Sequence, residues 1–310
     1  MGKYTVIAGQ NIYDVALHLY GSIEGIVDLM MNNASLSLDD TLTAGQELTY
    51  TEGFLINADI VAHYSRYGIV PANGERPVYP KIFTQPEAVR FFLSGERKAV
   101  SFTLSGTGTL EIDWGDNSLV ETVALSGTVR AVSHLFDSDI RGNRRIRWFT
   151  GGSFRQLDWS GIKAERILLL RPFSVEELVV RDCGFSLLPF SLLEDVYRLD
   201  LQASSVTGLA SLVPLTRLMS LDLTDTRMKP QQADEYLTGL VRHYGNRRSC
   251  EVRMSVVPTG EYREPERDEN GRCIISTGME AVWVILHETA WNEGGHWRFI
   301  INEQIYTIEE

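Results

Sequence analysis

Four segments of this chain overlay without a gap. "FRQLDWSGI" begins at Phe154, "VEELVVRDC" at Val175, "VYRLDLQAS" at Val196 and "LMSLDLTDT" at Leu218, with starts 21, 21 and 22 residues apart. Each reads apolar, two variable positions, leucine, one variable position, apolar, two more variable positions, then a small or apolar residue. A period this short constrains a chain strongly. One unit cannot bury its own apolar side, so each must stack on its neighbours and share a sheet with them. Leu178, Leu199 and Leu221 hold the same place in the unit and are expected to be buried. The closing position is Ile162, Cys183, Ser204 and Thr226, which should point inward at a bend; Cys183 is thus read as a buried structural residue.

The pattern resembles the leucine-rich repeat, and "VTGLASLVPLTRLMSLDL" matches its return segment with Leu209, Leu212, Leu215 and Leu218. The resemblance implies a short solenoid over 146–228, capped by its flanking segments. Residues between the core leucines then face outward: Asp158, Ser160, Val179, Arg181, Asp200, Gln202, Asp222 and Thr224. Six of these, Asp158, Arg181, Asp200, Gln202, Asp222 and Thr224, form a candidate partner-binding face. A plainly solvated face is the alternative.

The first fifty residues follow another rule. "KYTVIAG" is a short β-branched strand. Asn11 can cap a helix whose apolar face is Ile12, Val15, Ala16, Leu19 and Tyr20, and Gly21 can end it. Ser22 can cap a second helix, with Ile23, Ile26, Val27, Met30 and Met31 as its apolar face. "LTAGQELTY" supplies a turn and a closing strand. The order is strand, helix, helix, strand.

This order, with "YTVIAGQNIYDVA", "NNAS" and "LTAGQELTY", resembles the LysM domain. That family usually follows its first glycine with aspartate and threonine; here Gly9 is followed by Gln10 and Asn11. The "LYG" at Leu19 to Gly21 resembles the subgroup found in phage tail and baseplate proteins of the tail protein X type. In wall-binding members the glycan groove lies between two loops. By position these are Gly9, Gln10, Asn11 and Ile12, and Asn33, Ala34, Ser35 and Leu36. The alternative is that these residues only cap and turn their own module.

Asn57 caps a further short helix carrying Ile60, Val61 and Tyr64, ended by Gly68 and Pro71; Pro77, Pro80 and Pro86 then mark an extended connector, with a boundary near 85. From 97 to 145 the alternation of Val100, Phe102 and Leu104, then Leu110, Ile112 and Trp114, predicts an antiparallel segment with turns at "GTG" and "GDN". "IDWGDN" resembles a turn of PKD-like domains. Asp113, Asp116 and Asn117 lack the spacing of an EF-hand and are read as a carboxylate-stabilised turn. In the tail, Pro230 opens a helix with Ala233, Tyr236, Leu237, Leu240 and Val241 on one face, ended by Gly245. "SCEVRMSVV" is a strand, and "HWRFIIN" and "QIYTIE" form a hairpin about Asn302-Glu303. "HETAWNEGGH" puts Trp291 where a zinc protease needs histidine, so His287, Glu288, Glu293 and His296 are read as non-ligands.

The expected fold class is therefore an α+β mosaic: a βααβ LysM-like head (1–52), a connector (53–96), a β-sandwich-like PKD-like segment (97–145), a leucine-rich solenoid (146–228) and an α/β C-terminal cap (229–310). A net charge of −12 disfavours nucleic acid and anionic membranes as partners. No run approaches 18 apolar residues, "MGKYTVIAGQ" lacks the core of a signal peptide, and the three cysteines show no metal-like spacing and are expected to be reduced. No nucleophile–base or phosphate-loop motif is present. The expectation is a non-enzymatic structural protein without catalytic residues, metal or cofactor. It would be made in the cytoplasm and built into a phage tail, baseplate or related contractile injection particle, with other particle proteins as partners. The alternative is a surface adhesion protein that binds the peptidoglycan glycan.

Overall fold

The computed structural model describes residues 1–72, 81–116, 118–136, 142–244 and 247–308. Pro77, Pro80, Asn117 and Gly245 lie outside the described residues. The chain divides into two compact units, Met1–Pro80 and Lys81–Glu310.

In the first unit, strand β1 (Gly2–Thr5) pairs antiparallel with β2 (Glu47–Tyr50), Tyr4 opposite Leu48. Helix α1 (Ile12–Tyr20) starts at a capping box: Asn11 accepts from the Asp14 amide, and the Asp14 carboxylate accepts from the Asn11 amide. Gly21 closes it in the left-handed conformation, its N–H on the Leu17 carbonyl. No side chain would fit there, since a Cβ would run into the Asn57 carbonyl. A 3₁₀ turn at Ile23–Gly25 then leads into α2 (Ile26–Asn32). Asn57 caps α3 (Ala58–Tyr67), which buries no residue fully. Val6, Ile12, Val15, Ala16, Tyr20, Ile26, Leu29, Leu36, Leu42 and Leu48 make a core of their own.

The second unit is built on one large sheet. Its first strands are β3 (Glu87–Leu93), β4 (Ala99–Asp113), β5 (Glu121–Leu125), β6 (Arg130–Leu135), β7 (Arg144–Thr150), β8 (Ser153–Asp158) and β9 (Arg166–Leu169). Then follow β10 (Phe173–Val179), β11 (Gly184–Ser186), β12 (Leu193–Glu194), β13 (Arg198–Asp200), β14 (Ser205–Thr207), β15 (Ser220–Leu223), β16 (Glu251–Met254), β17 (Arg298–Ile301) and β18 (Gln304–Thr307). Fourteen of these join one sheet, whose main path runs β18-β17-β16-β15-β13-β10-β8-β4-β7-β3-β9. From β8 to β17 every pairing is parallel, in a register that aligns Leu157, Leu178, Leu199, Leu221, Val252 and Phe299. All six are buried. From β4 to β9 the pairings are antiparallel.

The hinge between the two regimes is β4. Its first half pairs with β6 and β8, and its second half with β5 and β7. The "GTG" stretch expected to turn the chain back instead lies within one fifteen-residue strand, with a register shift between Ser105 and Gly106. Gly106 lies so close to Ser153 and Phe154 that a Cβ would meet their backbone. Beneath the sheet, Phe91 meets Trp148 and Trp159 edge-on. Helices α4 (Pro230–Arg242) and α5 (Gly278–His287) bury Tyr236, Leu237, Leu240, Val282, Ile285 and Leu286 against the same core, and a short α6 (Thr289–Asn292) carries buried Trp291.

The expected α+β mosaic is thereby corrected. The protein is mostly strand, 33% against 22% helix, and one mixed sheet runs through what were read as a sandwich-like segment, a solenoid and a cap. The physical reason is edge chemistry. Both flanks of the repeat region end in strands whose free N–H and C=O groups pair with it, so neither folds as a separate module. The tail supplies β16, β17 and β18, the last returning through Asn302 and Glu303, both with positive φ.

Candidate functional site

Three places can carry function. The first is the pair of loops at 9–12 and 33–36. Gln10 is buried; its Oε1 accepts from the Tyr4 hydroxyl (2.9 Å) and the Ile7 amide (3.0 Å), and its Nε2 donates to the Pro71 carbonyl (2.9 Å). Asn11 is taken up by the α1 cap, and Ile12 is core. Asn33 donates to the carbonyls of Leu29 (2.7 Å) and Thr49 (2.8 Å) and accepts from the Thr49 amide (2.9 Å), tying the end of α2 to β2. Leu36 is buried; Ala34 and Ser35 are exposed, and Gly9 is half-buried with φ +83°. Gln10, Asn11 and Asn33 thus serve as internal fasteners.

The second place is the outward face of the parallel ladder. Asp158, Val179, Asp200 and Asp222 stand side by side on adjacent strands. Each aspartate also accepts from the amide two residues on: Ser160 (2.8 Å), Gln202 (3.1 Å) and Thr224 (2.9 Å). This is the Asx arrangement that turns a strand end. Arg181 reaches across to Asp200, its Nη2 2.5 Å from Oδ2, and Gln202 Nε2 donates to Asp222 Oδ2 at 2.7 Å. The Asp200 hydrogen bond holds the Arg181 guanidinium above its ordinary pKa against the opposing effect of burial, with the charges of Asp200, Asp158 and Asp222 adding to it. Five of the six residues read as a face are thus linked pairwise or through these turns, with Thr224 engaged by its backbone. The inward bend positions Ile162, Cys183, Ser204 and Thr226 are all buried. Ser204 Oγ accepts from the Cys183 amide (3.2 Å) and donates to the Val180 carbonyl (2.9 Å). Burial raises the Cys183 pKa.

The third place was missed. The sequence reading put Ile23, Val27 and Met31 on the buried face of the second helix. They are instead 51%, 63% and 79% exposed, four residues apart along one side, while Ile26 and Leu29 face the core. The missed signal is that "IEGIVDLMM" is apolar on two sides, and a helix against a small module can bury only one.

Two sets singled out in the sequence are accounted for by local structure. Asp113 is held by Lys81 (2.5 Å), Arg147 Nε (2.9 Å) and the Gly115 amide (3.0 Å). Asp116 is 2.7 Å from His134 Nε2 and 2.5 Å from Ser118 Oγ, and His134 stacks flat on Trp114. His287 stacks on Trp283 and contacts its carbonyl, Glu288 pairs with Arg267, and Glu293 and His296 are exposed. Among the described residues no group of three or more His, Cys, Asp or Glu could hold a metal ion, and no helix is long and apolar enough to cross a membrane. The chain matches no model of a protein family, no curated protein and no solved structure.

Proposed function

We propose that this chain is a non-enzymatic structural part of a multiprotein particle of the phage-tail, baseplate or contractile-injection kind. Its first unit docks there through Ile23, Val27 and Met31. The observation that carries the reading is that row: three large apolar side chains, each more than half exposed, on one side of the 3₁₀ turn and α2. Large apolar side chains left this exposed on one element mark protein contacts when they form a patch. The state of the loops supports the same choice. A glycan in the 9–12/33–36 groove would compete with bonds that Gln10, Asn11 and Asn33 already make inside the fold, and an internal donor left unpaired costs about 1–3 kcal/mol. The "LYG" resemblance supplies the kind of particle.

The test is sedimentation of particles from cells expressing the tagged chain. The chain should sediment with the particle, and a folded Val27→Glu/Met31→Glu variant should stay in the supernatant. The reading fails if the variant sediments as well as the parent. It fails equally if the chain sediments with insoluble peptidoglycan and chitin oligomers release it.

A further inference from the structure

The exposed apolar row on α2 has a charged border. Glu24 and Asp28 stand one residue on from Ile23 and Val27, so they run as a second row beside the first. Glu24 is exposed and has no ion-pair partner among the described residues. Asp28 accepts from the Tyr20 hydroxyl (2.7 Å), the Thr51 hydroxyl (2.6 Å) and the Thr51 amide (2.9 Å), all neutral donors. Burial pushes the Asp28 pKa up, but the hydrogen bonds outweigh it and hold the group below its ordinary value, so its charge is kept. The tie to Thr51 also brings Glu52, the next residue and exposed, to that side of α2.

This charge cannot be cancelled within the unit. Residues 1–80 hold nine acids and three bases, a net of −6, half of the −12 of the whole chain. One of the three bases, Lys3, is paired with Glu47 across β1 and β2. A second copy packed on the row would add its own three carboxylates to the contact, so self-docking is opposed by charge. A partner with Lys or Arg beside its own apolar residues gains from the same border. The row itself sets the partner's shape. Ile23, Val27 and Met31 are four residues apart over about 12 Å of helical backbone, the spacing at which the ridges of one helix pack into the grooves of another.

We infer that the occupant of this row is a cationic amphipathic helix of a partner protein. Its apolar stripe covers Ile23, Val27 and Met31, and its Lys or Arg side chains lie along Glu24, Asp28 and Glu52. The inference rests on the docking reading above and adds the partner's chemistry to it. Apolar burial supplies the hold, while the charged border selects among apolar partners and speeds their encounter.

Three helical peptides test this against the purified full chain by fluorescence anisotropy, at low and at high salt. All carry the same leucine stripe, flanked by lysine, by glutamine or by glutamate. At low salt the lysine peptide should bind at least tenfold tighter than the glutamine peptide, and the glutamate peptide should not bind. High salt should remove most of the lysine advantage. Val27→Ser/Met31→Ser should weaken the lysine peptide at least tenfold, which locates it on the row. Glu24→Gln/Glu52→Gln, at two exposed positions that do not threaten folding, should weaken it severalfold. The inference is overturned if the glutamine or glutamate peptide binds as well as the lysine one, or if either double variant binds the lysine peptide like the parent. It is overturned equally if the chain forms a dimer that Val27→Ser/Met31→Ser abolishes, which would make a second copy the occupant. The particle reading stands or falls separately. Sedimentation through the row without the peptide preference keeps docking and removes the cationic partner; the preference without sedimentation removes the particle.

Discussion

Single residues show most clearly what the parallel ladder demands. Leu178, Leu199 and Leu221 are fully buried in register on neighbouring strands, so each change to alanine should lower stability by about 2–5 kcal/mol in denaturant melts. One feature of the ladder could not be read from the repeats. Lys163, Asp182, Ala203 and Asp225 all have positive φ, one at each bend, and none is glycine. Alanine has no side-chain polar group to support that conformation, which costs about 1–2 kcal/mol without such help. Ala203→Gly should therefore raise stability by about 0.5–1 kcal/mol, while Ala210→Gly, in an ordinary 3₁₀ turn, should lower it by a similar amount. Asp113 gives a pH signature. Burial pushes its pKa up, but hydrogen bonds from Lys81 and Arg147 outweigh that and leave it below the ordinary carboxylate value. Its folded pKa thus lies under its unfolded one, so its contribution is complete above about pH 4 and is lost as pH falls through the folded value. Urea melts across this range should show Asp113→Asn clearly weaker than the parent at pH 7, with the gap closing below about pH 4. A gap that stays constant would mean that Asp113 contributes no ion pairing.

Elements divide into those whose signal is local and those that neighbours decide. The Asn11 cap, the Gly21 stop, Pro230 at the start of α4 and the Asn302-Glu303 hairpin all stand where the sequence places them, because capping and turn chemistry act within a few residues. The β4 bend does not. "GTG" carries good turn chemistry, yet strands on both sides of β4 hold it extended, and long-range pairing overrides the local signal. Gly106→Ala should therefore cost about 1–3 kcal/mol, since its Cβ would meet the Ser153 and Phe154 backbone, whereas Gly127→Ala, with nothing nearby, should be close to neutral. The face of α2 was misread for a related reason. Periodicity ranks apolar residues without saying which row meets the core, and Leu29 rather than Val27 fills that place.

Across the whole molecule, two separate cores occupy the two units. Leu29→Ala should lower one unfolding transition and Leu199→Ala another, each leaving its counterpart in place; a common shift of a single transition would contradict independent cores. The period of the repeats made the parallel ladder legible. Its continuation through β4 and β16 was not, because pairing between distant strands leaves no periodic trace. The candidate sites follow the same division. The ladder face was visible as residues between leucines, whereas the row on α2 emerges only from burial. The docking claim for the first unit meets its most direct test in cysteine labelling of a Met31→Cys chain, free and within the sedimented particle. Cys183 and Cys250 are buried, and the parent corrects for half-buried Cys273. Position 31 should label rapidly in the free chain and be protected at least tenfold in the particle; equal labelling in both would contradict docking through this row.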